Sequence, residues 1–112
     1  MPRPSPASPP LREFELVVLL AVLGLRDQAY PVSIRDAIEE RTRRKVSRAA
    51  VFITLERLER HGFVTSRYGD PTPVRGGPAK RFFRATRTGI AAVKGGVHVI
   101  QSMTAGLDKV LE

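Results

Sequence analysis

The side chains of this chain that can do most chemistry are guanidinium and ammonium groups, and they are concentrated in one stretch. Residues 41 to 87 hold thirteen of the nineteen Lys and Arg but only three Asp or Glu, a local balance of +10. The other 65 residues hold six basic and eight acidic side chains, a balance of −2. An excess confined to one block marks a binding face for a polyanion, whereas a solubility device would be spread over the surface. Cations of this kind neutralise phosphates and release their counterions, so double-stranded DNA is the first partner to consider.

Other chemistry is poorly provided for. Cys is absent, which removes disulfides, thiolate nucleophiles and Cys-based zinc sites. The two histidines, His61 and His98, form no metal-spaced pair, and HExxH, GxSxG and P-loop patterns are missing. Neighbouring carboxylates such as Glu39 and Glu40 diverge by about 100° on a helix and do not share a site. No catalytic residue, metal or cofactor is expected, and the chain reads as a binding protein rather than an enzyme. The longest apolar run, Leu16 to Leu25, is ten residues, well short of the roughly 18 needed to span a bilayer. Glu13 and Glu15 stand where a secretory signal would carry its basic flank. No membrane partner is expected, and a cytoplasmic location is.

At 112 residues and 42% apolar content the chain fits one domain with a modest core. Five of the nine prolines fall in residues 1 to 10, where missing amide donors and fixed φ exclude helix and central strand. That segment reads as a disordered tail. A first helix is predicted from Arg12 to Leu25, apolar around most of its circumference and so buried in the middle of the domain. After the turn Arg26-Asp27-Gln28, Pro31 suits the first turn of a second helix, Pro31 to Arg43, with Ile34, Ala37, Ile38 and Arg41 on one face.

The third helix carries the functional inference. Ser47 is a good N-cap and Gly62 a good C-terminal stop. Between them, Val51, Leu55 and Leu58 share a core-facing stripe. Ala49, Phe52, Ile53, Glu56 and Arg60 then point away, with Arg48 at the boundary. Small and apolar groups at the start of an exposed helix suit a major groove, where they meet thymine methyls and admit the backbone. Phe52 reads as a DNA or sugar contact and Ile53 equally as that or as a packing residue; the alternative for both is packing under the hairpin or against a neighbouring helix.

Phe63 to Tyr68 and Lys80 to Ala85 read as two strands from their β-branched and aromatic content. The long Pro/Gly connection between them carries Arg75, and Lys80, Arg81 and Arg84 add charge. A helix followed at once by a basic hairpin is the working end of a winged helix-turn-helix. A further strand before the third helix has only Lys45-Val46 available. Thr86 caps a last helix on which Ile90, Val93, Val97, Ile100, Thr104, Leu107 and Leu111 form a heptad-like seam. The seam packs either on a partner subunit or back on its own domain. Gly95-Gly96 in mid-helix marks a kink or a close helix approach.

These features together resemble the PadR-like family of bacterial and archaeal transcription regulators, over about Leu11 to Gly95. The resemblance rests on Ala29-Tyr30-Pro31-Val32-Ser33-Ile34, on Leu55-Glu56-Arg57-Leu58-Glu59 and on His61-Gly62-Phe63-Val64. Gly76-Gly77-Pro78-Ala79-Lys80-Arg81-Phe82-Phe83-Arg84-Ala85-Thr86 and Gly89 complete it. It implies a homodimer joined through the last helices, two recognition helices in successive major grooves, and repression that is sometimes relieved by a small-molecule effector. The family usually has Tyr in place of Phe52, Gly in place of Pro31 and Arg in place of Pro78. Trp, a frequent stacking residue of drug pockets in such folds, is absent.

The expected architecture is mainly α with a small two-stranded β-wing. A tail (1–10) precedes a winged helix-turn-helix (11–86) and a C-terminal dimerisation helix (87–112). Ser47, Arg48, Ala49 and Phe52 are expected at the major groove. Arg43, Arg57, Arg75, Lys80 and Arg81 are expected at phosphates, with pairing to a neighbouring Glu as the alternative for Arg57. Ile90, Val93, Val97, Ile100, Leu107 and Leu111 are expected at the dimer interface. The expected function is sequence-specific binding, as a homodimer, to a pseudo-palindromic operator. A winged-helix protein–protein module is the alternative, and RNA binding a third reading that lacks a stacking platform.

Overall fold

A computed structural model describes residues 10–69 and 79–112. The expected tail, the long wing connection and Arg75 lie outside the described residues. Five α-helices and a two-stranded sheet follow in the order α1 (Glu13–Leu25), α2 (Pro31–Thr42), α3 (Arg48–Arg60), β1 (Val64–Tyr68), β2 (Arg81–Ala85), α4 (Arg87–Thr104) and α5 (Asp108–Leu111). A single 3-10 turn, Arg26–Gln28, joins α1 to α2. The mainly helical winged helix-turn-helix expected from the sequence is the fold observed.

Local chemistry sets most of the boundaries. Ser47 Oγ accepts the Ala50 amide at 3.0 Å and Thr86 Oγ1 accepts the Gly89 amide at 3.0 Å. Each satisfies one of the amides that a helix start leaves unpaired. Pro31 occupies the first turn of α2. Gly62, at φ +78°, turns the chain out of α3, and the Phe63 amide closes that turn on the Leu58 carbonyl at 2.9 Å.

The core is made by α1, α2 and α3 under the wing: Val18, Leu19 and Val22, then Ile34 and Ile38, then Val51, Leu55 and Leu58. Phe63, Val64 and Phe83 close it from the sheet. The strands are antiparallel, with Val64 opposite Ala85 and Tyr68 opposite Arg81. Residues two apart share a face, so Ser66, Arg81 and Phe83 lie on one side and Arg67, Phe82 and Arg84 on the other.

Four expectations are corrected. No strand forms at Lys45-Val46; the sheet has two strands, and what β2 meets instead is Ala29, whose carbonyl accepts the Phe83 amide at 2.8 Å. Helix α1 is buried on one face only: Leu20 is exposed, and Val17, Ala21 and Leu25 are half-buried beside α2. The last helix stops at Thr104, because Gly106 at φ +82° breaks the helical run, and Leu107 and Leu111 belong to a separate turn. Val93 is a core residue of its own subunit, 6% exposed, so no partner is needed to bury it. Helix α4 continues unbroken through Gly95-Gly96, and Gly96 is where Leu16 of α1 packs closely, its methyls 3.4 Å from where a Cβ would stand.

Candidate nucleic-acid interface

The N-terminal end of α3 is uncovered. Arg43, Arg44, Lys45, Ser47, Arg48 and Ala49 are all exposed around it. Phe52 is 42% and Ile53 58% exposed, large apolar groups left partly in solvent. The opposite stripe, Val51, Leu55 and Leu58, anchors the helix on α1 and α2. Burial of that stripe is what obliges Ala49, Phe52 and Ile53 to face outward.

Arg43 ends α2 in the left-handed conformation, at φ +58°. Among the described residues, neither Arg43 nor Arg48 forms an ion pair. Lys80 at the foot of the wing is exposed, its Nζ 4.3 Å above the Tyr30 ring. Tyr30 in turn packs edge-on against Phe82 at 5.5 Å. These contacts hold the Lys80 ammonium beside the start of α2.

Two of the expected phosphate-binding arginines are engaged elsewhere. Arg81 points inward from β2 and pairs with Glu56 and Glu59 of α3. Its Nε donates to Ser66 Oγ at 3.1 Å, and Ser66 donates onward to Glu59 at 2.8 Å. The side chain is 20% exposed. Burial alone lowers the Arg81 pKa, but the hydrogen bond and charge of Glu56, then the charge of Glu59, raise it above its ordinary value. Arg81 is thus a permanent cation that ties the wing to the recognition helix. Its guanidinium also lies 4.9 Å from the Phe83 ring and 5.7 Å from the Phe52 ring. Arg57 is the second: its Nη1 stands 3.8 Å from the nearly buried carboxylate of Glu15 on α1. Arg57 thus pairs across to α1 and not with a Glu neighbouring it in the sequence.

Arg44 is a residue that sequence reasoning passed over. It spans 31 positions to pair bidentately with Glu13 at the start of α1, at 2.8 and 3.0 Å. The hydrogen bond from Arg44 holds the Glu13 carboxyl below its ordinary pKa, against a small opposing effect of burial. The pair pins the loop that leads into α3. Lys45 and Arg84 are further exposed cations near this face and on the wing. The local charge excess was the signal for both.

No group of three His, Asp or Glu that could hold a metal occurs among the described residues. No described helix is long and apolar enough to cross a membrane.

A helix whose basic N-terminal end stands clear of the core, followed by a hairpin clamped to it, defines a winged-helix DNA-binding protein. The family model described as the transcriptional regulator PadR-like family matches residues 19–95. The chain belongs to that family and is a DNA-binding transcriptional regulator. Its fold is similar to that of a transcriptional regulator from Clostridium thermocellum, with TM-score 0.70 and 20% identity over 88% of this chain and 89% of that one. A PadR family transcription regulator from Clostridium difficile gives TM-score 0.69 and 16% identity over 87% and 98%. A PadR-like transcriptional regulator from Bacillus cereus gives TM-score 0.70 and 12% identity over 88% and 91%. No curated protein matches the sequence significantly.

Proposed function

We propose that the chain acts as a homodimeric repressor that binds a pseudo-palindromic operator, one recognition helix per half-site. The observation that carries this reading is the uncovered start of α3, where Arg48, Ala49 and Phe52 stand exposed, together with the exposed cations Arg43 and Lys80. Arg48 offers a bidentate donor for a guanine edge, and Ala49 and Phe52 offer apolar contact to thymine methyls. Arg43 and Lys80 meet phosphates and set the register. Arg75 of the wing connection remains part of the proposal.

A homodimer is supported by apolar surface that one subunit leaves in water. Val99, Ile100, Met103, Leu107, Val110 and Leu111 are all exposed on α4 and the terminal turn. A side chain of this kind gains roughly 1.5–3 kcal/mol when fully exposed surface is fully buried, and these retain a large part of that surface in water. Ile90 and Val97 continue the seam towards the domain, Val97 half-buried against the core. Two-fold pairing through this surface presents two α3 helices to half-sites about one helical turn apart. No covalent chemistry enters this reading, and the cytoplasm is its natural setting.

The test is protection of the gene's own promoter from nuclease cleavage by the purified chain. A symmetric footprint with two half-sites, lost at high salt, is expected. Equal affinity for promoter and random duplex would overturn the operator reading. A protein-docking module draws on one observation, the exposed Ile53 beside Phe52. It takes precedence only if duplex binding fails altogether.

A further inference from the structure

The link between α2 and α3 is Arg43-Arg44-Lys45-Val46, and a single residue of α2 holds both of its ends. The backbone carbonyl of Glu39 accepts the Arg43 amide at 2.8 Å. The side-chain Oε2 of the same residue accepts the Val46 amide at 3.1 Å. Between these two bonds, Thr42 Oγ1 accepts the Arg44 amide at 3.1 Å and donates to the Ile38 carbonyl at 2.7 Å. Arg43 enters the link at φ +58°, a backbone region that residues other than Gly rarely adopt. A turn made without glycine at that position needs holding from outside, and Glu39 does the holding.

The carboxylate of Glu39 is half-buried and takes part in none of the ion pairs among the described residues, although it borders the most basic block of the chain. In this it differs from Glu13, Glu15, Glu56 and Glu59, each of which meets an arginine. Its bond goes to a backbone amide seven positions on, so it fixes where the chain runs and neutralises no cation. Val46 is held a second time by its side chain, which packs against the core. Ser47, the cap of α3, comes next, and Arg48 and Ala49 are the first two residues of that helix. Arg48 is exposed and forms no ion pair among the described residues, so its aim depends on the backbone beneath it.

From this we infer that Glu39 is a positioning residue for DNA reading: through the Val46 amide it sets the pose in which the start of α3 meets the bases. The inference rests on the operator reading of that helix. A bidentate contact to a base edge depends on precise placement of its backbone, whereas a long cationic side chain follows a phosphate through small shifts. Loss of the bond to Val46 therefore lowers the preference for operator over random duplex more than it lowers duplex binding in general. The carboxylate has two opposed effects. As a negative charge beside a polyanion it weakens binding to every duplex, and as an acceptor it favours the one duplex that fits.

The experiment compares Glu39→Ala and Glu39→Gln in the full chain. Both remove the same charge, but Gln keeps an acceptor oxygen, so the difference between them reads the hydrogen bond alone. Affinities are measured for the gene's own promoter and for random duplex. Both variants should bind random duplex slightly and equally more tightly. The promoter-to-random ratio should fall at least about fivefold in Glu39→Ala and stay within about twofold of the unmodified chain in Glu39→Gln. Without DNA, hydrogen exchange at the Val46 amide should be at least about tenfold faster in Glu39→Ala than in Glu39→Gln. Ala is the better helix former, so a loss confined to that variant is not a weakening of α2. Equal ratios in the two variants overturn the proposal alone, as does an unmoved Val46 amide. An unmodified chain that binds promoter and random duplex alike overturns the operator reading, and the proposal with it.

Discussion

Arg81 and Glu56 are joined across 25 positions of sequence, and their contact sets the angle between the wing and the recognition helix. With Glu59 and Ser66 completing the arrangement, removing the guanidinium leaves two carboxylates facing each other behind the wing. Arg81→Ala should cost about 1–2 kcal/mol of stability, less than a fully buried pair because both carboxylates are partly solvated. Duplex affinity should fall while the slope of affinity against salt stays the same, since Arg81 neutralises no phosphate. A salt slope reduced by about one would instead return Arg81 to the DNA backbone.

The Glu13–Arg44 pair gives a pH signature. The folded-state pKa of Glu13 is lowered, first by its hydrogen bond to Arg44. The pair's contribution to stability is therefore complete above the ordinary value of 4.5 and disappears as pH falls through the lower folded value. Both side chains are well solvated, so the contribution is small. In an NMR titration of the carboxyls, Arg44→Ala should return Glu13 to the ordinary range, and an unmoved Glu13 would show that the pair does not form in solution.

Two glycines of α4 should respond in opposite directions. A Cβ on Gly89 would stand 2.1 Å from the Phe63 carbonyl oxygen, a backbone atom that cannot swing aside. Gly89→Ala should cost about 3 kcal/mol through overpacking. Nothing lies within 4 Å of a Cβ on Gly95, so Gly95→Ala should stabilise the helix by about 0.5–1 kcal/mol. Denaturant melts measure both, and a destabilised Gly95→Ala would reveal another helix packed on that position.

On DNA, Arg48→Ala should reduce affinity for the operator by about 1–3 kcal/mol and leave random duplex nearly unaffected. Lys80→Ala should weaken both duplexes together and lower the salt slope by about one. Gel-shift titrations at several salt concentrations separate the two. Identical behaviour of the two variants would contradict the division into reading and positioning contacts.

For assembly, Ile100→Glu with Met103→Glu should give a monomer in sedimentation experiments, with operator affinity lost and the fold intact. Ile100 is 57% exposed in the single subunit, so a charge there costs the monomer little. A dimer that survives both changes would place the interface elsewhere.

The sequence by itself determined what is local or periodic. Ser47, Thr86, Pro31 and Gly62 act within a few residues of themselves, so their capping and turning roles follow from type and spacing. The stripe Val51, Leu55 and Leu58 and the confinement of charge to one block are likewise properties of order alone. The ends of the last helix were within reach too: Gly106 is a C-terminal stop signal, outweighed by an apolar heptad that continues past it. What only the tertiary structure decided is which partner each long side chain takes. Arg81 and Lys80 are neighbours in the chain, yet the pleat sends one to the acids of α3 and leaves the other in solvent. Arg44 finds Glu13 across 31 positions, Phe83 finds Ala29, and Val93 finds the core of its own subunit. Charge and hydropathy say that a group must be answered, but an ion pair or a buried methyl depends on distance in space, and the packing of helices and wing alone sets that distance.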